Sequence, residues 1–291
     1  MKTIKTIILA VASLVGCLSH VQAATPYPLG WKSNPDHSKG LKQIVHHAAF
    51  KAAPLPASAS LRSGMPPVYD QGQIGSCTAN AGCGAFDFQW NAQHKAFVFP
   101  SRLDLYQQEV MHDLGTTNYK RIQDNGSYTS TILWVLTNKG VALEKCWPYN
   151  TAKLNTAPGS CASKTFGQYK AVKAYDVPND DNGYSVKQCI VNVKIPVLTG
   201  GYVYNSIFNP TYDLKTKKWF VPMPSGKPVG GHEILIVSYD DNLQIGSLKG
   251  FAEIRNSWGT GWGGKGYAWV PYAYLFNPKQ FEDNGAVETT K

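Results

Sequence analysis

The amino-acid sequence predicts an α+β fold, helical in its first half and strand-rich in its second. Three observations carry that prediction. Glycine and proline supply 27 and 18 of the 291 residues and aromatics 12%, a composition of tight turns and short strands that excludes a coiled coil or helical bundle. A proline- and glycine-rich loop at 62–75 leads into a helix from about residue 76 to 90. Strand candidates concentrate late, at 196–199, 202–204, 233–239, 250–255 and 266–270, each short, β-branched or aromatic, and bounded by glycine, proline or asparagine. With 43% hydrophobic and 16% charged residues the chain is globular, as one large domain or two.

The first 23 residues read as an export signal: Lys2 and Lys5, an apolar core at 7–18, then Val21-Gln22-Ala23 as the cleavage site. The core is too short for a membrane span, and a secreted or periplasmic monomer without stable membrane insertion is expected. Leu14-Val15-Gly16-Cys17 keeps lipoprotein anchoring through Cys17 as an alternative. Residues 24–60 form a separate front segment. Leu41, Ile44, Val45, Ala48 and Ala49 fall at helical spacing and Pro54-Leu55-Pro56 follows, so a short amphipathic helix is expected over 40–53. Such a helix needs a surface to dock on. His46 and His47 point about 100° apart on a helix, with no third ligand near, and read as a solvated pair.

The net charge is +9, but the basic residues are scattered and no arginine stripe is interleaved with aromatics, which argues against nucleic acid as a partner. Beyond Cys17 the cysteines are Cys77, Cys83, Cys146, Cys161 and Cys189, an odd number, so one free thiol is expected. Their gaps of 6, 63, 15 and 28 residues do not suit zinc, and no metal or other cofactor is implied.

Cys77 falls at the start of the helix expected after the loop. Unsatisfied N–H groups and the helix dipole lower a thiol pKa there, although a lone cysteine is also commonly a small buried hydrophobe. His232 follows Gly230-Gly231 at the head of an apolar strand, where glycine lets backbone approach a ligand. Asn256 precedes Ser257 and Trp258 in a glycine-rich loop. Singly, the histidine fits a hydrogen-bonded core residue and the asparagine a turn beside a buried indole.

Together these segments resemble the papain family of cysteine proteases. The family's Gln-Gly-x-x-Gly-Ser-Cys stands as Gln71 to Cys77, its histidine strand as Gly231 to Tyr239, and its Asn-Ser-Trp-Gly-x-x-Trp-Gly as Asn256 to Gly263, with histidine and asparagine 155 and 179 residues after the cysteine. Weaker likenesses lie at Pro100-Ser101-Arg102-Leu103, at Asp124-Asn125-Gly126-Ser127 before a helix ending at Gly140-Val141, and at Trp147-Pro148-Tyr149. The resemblance covers about 61–275 and is similar to a bacterial exported branch. It implies a papain-like two-lobed fold, a helical lobe over 61–165 and a β-barrel-like lobe over 166–291, with the active site between them. It implies Cys77 as nucleophile, His232 as its base and later acid, Asn256 orienting the imidazole under Trp258, and Gln71 as oxyanion donor with the Cys77 N–H. Polypeptides are the implied substrates.

Four departures from the family pattern stand out. The first disulfide cysteine and the tryptophan after the nucleophile are missing, which predicts a differently braced active-site helix. Cys146 and Cys161 flank the Trp-Pro-Tyr turn and suit a disulfide, leaving Cys83 and Cys189 as buried thiols. Gly126 and Ser127 replace a Gly-Gly pair that bonds substrate backbone, so serine narrows the cleft in this reading. Glu233 replaces a small residue lining the S2 pocket. It is expected either to face solvent or pair with a lysine, or to select lysine and arginine. The front segment is short for an inhibitory propeptide, but its 40–53 helix is expected to cover the cleft until cleavage before about Leu61. A transglutaminase-like thiol acyltransferase and a non-catalytic peptide-binding relative are the alternatives.

Overall fold

The structure, a computed structural model, describes residues 25–50 and 54–289. The expected export signal and Cys17 lie outside them. Helices α1 (Cys77–His94), α2 (Arg102–Asp113) and α3 (Thr129–Asn138) supply the first half, with shorter α4 (Ser160–Thr165), α5 (Tyr184–Gln188) and α6 (Tyr272–Leu275) further on. In chain order the strands are β1 (Lys42–Gln43), β2 (Ser58–Ser60), β3 (Lys173–Asp176), β4 (Val197–Val203), β5 (Thr211–Asp213), β6 (Lys218–Phe220), β7 (Gly230–Ile245), β8 (Leu248–Arg255), β9 (Tyr267–Pro271) and β10 (Phe281–Glu288). They join in one sheet of order β1-β3-β10-β4-β7-β8-β9-β6-β5, with β2 paired to β7.

α1 is buried on every side from Cys77 to Gln89, packed between α2, α3 and β7. Small residues make that possible: a Cβ on Gly82 would meet Ile132 at 2.5 Å, and one on Gly84 would meet Leu235 at 3.0 Å. α2 starts at Ser101, whose hydroxyl accepts the Asp104 N–H, and α3 buries Ile132, Leu133, Val135 and Leu136. One apolar core joins these helices to Leu235 and Ile254 of the sheet.

The expected strands are present, and 196–199 and 202–204 are a single strand, β4. Strands β3, β5, β6 and β10 were not legible. β10 carries Glu282, Asp283, Asn284 and Gly285, poor strand formers on their own, and extends because β3 and β4 flank it on both sides.

The front segment corrects the sequence reading. Residues 40–50 form no α-helix: β1 pairs parallel with β3, and Ile44–His46 make one 3₁₀ turn. The open edge of β3 offers unpaired backbone groups that capture Lys42 and Gln43, and only Ile44 of the apolar positions is fully buried. Nor is residue 61 the structural boundary, since Ser58–Ser60 pair with Ser238–Asp240 in the sheet.

Cys146 and Cys161 form the expected disulfide, with Cα atoms 5.2 Å apart, while Cys83 and Cys189 are free and buried. The bridge pins the Trp147-Pro148-Tyr149 turn, whose indole N–H donates to Gln107 at 3.0 Å inside a small core with Leu103, Ala142 and Ala162. Replacing both cysteines by serine is expected to cost roughly 3 kcal/mol of stability, the loop-closure value for a 15-residue span, measured by urea unfolding.

Candidate active site

Cys77 is the first residue of α1, and the turn before it is braced without a disulfide. Asp124 accepts the Gly75 N–H at 2.9 Å and the Tyr106 hydroxyl at 2.6 Å, while that hydroxyl accepts the Gly126 N–H at 3.0 Å. Tyr149, set by the disulfide-pinned turn, donates to the Gln71 carbonyl at 2.8 Å and shares a 2.5 Å hydrogen bond with Ser76. Gln71 is thereby fixed at both ends, because its side-chain oxygen accepts the Ser257 hydroxyl at 2.6 Å and its N–H donates to the Ser257 carbonyl at 2.8 Å.

His232 opens β7 and Asn256 follows β8, so the two enter from neighbouring strands. His232 Nε2 lies 2.8 Å from Asn256 Oδ1, which makes Nε2 the protonated nitrogen, since an amide oxygen only accepts. Trp258 stacks on the imidazole with ring centres 4.5 Å apart and shields this bond. His232 Nδ1 is buried without a hydrogen-bond partner. The backbone N–H of the next residue, Glu233, faces Cys77, so the start of α1 lies against the first part of β7.

Residues 27–32 occupy the cleft. Gly30 accepts the Ser127 N–H at 2.8 Å, Lys32 donates to the Ser127 carbonyl at 2.9 Å, and Trp31 between them donates to the Gly231 carbonyl at 3.1 Å. One short extended stretch thus bonds to both sides of the cleft. Gln71 Nε2, the expected oxyanion donor, donates to the Pro28 carbonyl at 3.1 Å and to Ile74 at 3.0 Å. Tyr27 stacks on Trp258 at 4.4 Å, and the Gly30 N–H reaches the Cys77 sulfur. The fit admits no side chain at residue 30, where a Cβ would stand 1.7 Å from the Gly75 oxygen.

Covered in this way, Cys77 and His232 are both fully buried. Burial pushes the Cys77 thiol up to about 12, against the pull of nearby backbone N–H groups. Burial also takes His232 down to about 4, partly offset by its bond to Asn256. With residues 27–32 in the cleft, the thiol and the imidazole are therefore both neutral.

The sequence model of the papain family cysteine proteases matches residues 55–275. The chain belongs to that family. Xylellain, a cysteine protease from Xylella fastidiosa, superposes with a TM-score of 0.74 at 30% identity over 90% of this chain and 96% of that one. An uncharacterized peptidase C1-like protein of Acanthamoeba polyphaga mimivirus is 31% identical over 71% of this chain, and cathepsin K of Gallus gallus 27% over 69%. The chain spans 64% and 54% of those two relatives' own lengths. The mixed fold of helices and a large sheet is the papain-like one.

The structure brings Cys77, His232, Asn256, Gln71, Gly126, Ser127, Gly231, Glu233 and Trp258 to one cleft. Two expectations change. Glu233 neither faces solvent nor pairs with a lysine: it is 1% exposed and accepts the Thr129 hydroxyl at 2.7 Å, because its place on β7 points it under the cleft. Ser127 turns its hydroxyl to Asp113 at 2.8 Å, a brace within the helical half. Trp31, Pro28 and Thr129 were missed, and Asp124 was read within its segment without a role. The tryptophan, alone in a weakly patterned stretch before the expected helix, was the only available signal.

With the front segment in place, alkylation of Cys77 by iodoacetamide is expected to be slow and to climb with pH without a plateau below about pH 9, since the raised pKa leaves little thiolate there. Peptide mapping against pH checks this, and a plateau near neutral pH would contradict a neutral closed pair.

Proposed function

We propose that the chain is an exported cysteine peptidase held closed by residues 25–50, with Cys77 as nucleophile, His232 as base and acid, Asn256 as its orienting partner and Gln71 as oxyanion donor. The observation that carries this reading is the convergence of all four side chains on a cleft already filled by a stretch of polypeptide. When that stretch leaves, water reaches the pair, the desolvation penalty falls, and a proton can move from Cys77 to His232 to leave a thiolate beside an imidazolium. The thiolate attacks a peptide carbonyl carbon. The Gln71 side-chain N–H, with the Cys77 N–H, stabilises the negative oxygen. As the C–N bond breaks, His232 gives its proton to the leaving amine. A water then attacks the thioester, His232 takes its proton, and the acid leaves as the thiol is restored.

Export fits the disulfide, which needs an oxidising compartment to persist, and residues 1–23 would supply the signal. Release of the closing segment is expected upstream of β2, so that Ser58–Ser60 stay in the sheet.

An epoxysuccinyl peptide is expected to form a single adduct on Cys77 in a chain beginning at Pro54, at a rate at least about tenfold above that of the chain with residues 25–50, and no adduct after His232→Ala. Intact mass and peptide mapping read both. Equal rates would remove the closing role, and no adduct in the folded shorter chain would favour a non-catalytic binding protein. Gln71→Ala is expected to lower kcat by about 10²–10³, the usual loss for one oxyanion donor, in a peptide hydrolysis assay.

A further inference from the structure

Along the chain as a whole the lysines are scattered, but the fold gathers several of them at the hairpin of β5 and β6. These strands end the sheet, and among the described residues β5 pairs on one side only. Residues 211–229 carry Lys215, Lys217, Lys218 and Lys227 and a single acid, Asp213. That acid is turned into the hairpin, where its carboxylate accepts the Thr216 N–H at 2.7 Å and the Thr216 hydroxyl at 2.6 Å. Its carbonyl accepts the Lys217 N–H at 2.8 Å, so the turn is closed from within.

The tip is apolar as well as basic. Leu214 is 83% exposed, more than any other large apolar side chain among the described residues. Tyr212 and Trp219, directly opposed across the two strands with ring centres 5.4 Å apart, are 42% and 38% exposed. A lone exposed leucine calls for no account, but a leucine beside two lysines and a tyrosine–tryptophan pair does. Lys217, Lys218 and Lys265 line the groove next to the two rings. The acid in that groove, Glu253, is 3% exposed and paired with Arg62, which leaves the face positive.

We propose that the β5–β6 hairpin docks the protein on an anionic lipid bilayer, with Leu214 entering the headgroup layer, Tyr212 and Trp219 at the interface, and Lys215, Lys217 and Lys218 over the lipid phosphates. Each kind of side chain suits a different depth of such a surface. Tyrosine and tryptophan settle at headgroup level, and lysine stems lie along apolar surface while the charge stays in water. Each lysine near an anionic leaflet strengthens binding about fivefold. One leucine anchors weakly alone, and the lysines supply the second attraction that stable docking needs. An acidic polysaccharide would use the lysines and the rings but gives Leu214 nothing apolar to enter. Docking also sets where the cleft lies. Phe208 stacks on Trp258 at the cleft with ring centres 5.5 Å apart, and at most about 20 Å of extended chain separates Phe208 from Leu214. The cleft is thereby held close to the membrane surface, whatever reaction it carries out.

The test is co-sedimentation of the chain from Ala24, which holds every described residue and lacks Cys17, with vesicles of equal phosphatidylglycerol and phosphatidylcholine or of phosphatidylcholine alone. Binding to the mixed vesicles is expected to be at least about tenfold tighter than to phosphatidylcholine alone, and to weaken with salt. The double variant Lys215→Gln, Lys217→Gln is expected to lower it about tenfold or more, and Leu214→Ser about threefold or more. Lys218 is kept, since its ammonium lies over the Trp269 ring. All three substituted side chains are exposed, so circular dichroism and the melting temperature are expected to stay unchanged. If the double variant does not fold, Lys215→Glu alone takes its place. No sedimentation with the mixed vesicles, or equal binding to both kinds, overturns the proposal. So does binding that the lysine variant loses and Leu214→Ser keeps in full, together with equal capture of soluble polygalacturonate by Leu214→Ser and the unaltered chain, which would mark a general polyanion surface.

Discussion

The site depends on the packing of α1 against β7. Cys77 stands at one end of the first element and His232 near one end of the second, so the proposed nucleophile and base are carried by two secondary structures that pack on each other. Gly84 allows the close approach to Leu235 of β7, and Gly82 allows a close approach of α1 to Ile132 of α3. The functional groups themselves contribute little to this. What holds Cys77 and His232 in register is apolar burial several residues away from either, and the polar ties of Asp124, Tyr106 and Tyr149 then fix the loops that carry Gln71 and Gly126.

The proposed closing segment binds the cleft largely through its backbone. Gly30 and Lys32 bond to Ser127 and Trp31 bonds to Gly231, main chain to main chain, and such contacts ask nothing of side-chain identity. Side chains add to this, among them Tyr27 on Trp258, Trp31 over Gly200, Asn34 on Ser130, and His37 between Asp176 and Asp283 at 3.1 Å from each. The same burial that seats them keeps Cys77 and His232 uncharged. In the proposed closed form, occlusion and electrostatic silencing are therefore one physical event.

Much of this was legible in the chain. Gln71 through Cys77, His232 on its strand, and Asn256 beside Trp258 were read with their neighbours, and Cys146 with Cys161 followed from a short span around a turn. These features are local, written in a few adjacent residues. The helix expected over 40–53 failed for the opposite reason: its apolar spacing was real, but the unpaired edge of β3 offered Lys42 and Gln43 a partner that no local pattern announces. β10 and the buried place of Glu233 were hidden in the same way, since both depend on which strands lie alongside. Asp124 replaced the missing disulfide as a brace through a hydrogen bond to a residue 49 positions away, and separation of that kind leaves no trace in a motif.

The pairing of β2 with β7 has a kinetic meaning. While the chain is continuous, β2 tethers residues 25–50 beside the cleft, and a short tether keeps a docked segment at a roughly millimolar effective concentration. One peptide bond broken upstream of Ser58 leaves every contact of Tyr27, Gly30 and Trp31 intact, yet turns a first-order equilibrium into a second-order one. In the proposed activation the cut piece would from then on compete as a dissolved ligand, which dilution alone is enough to carry away.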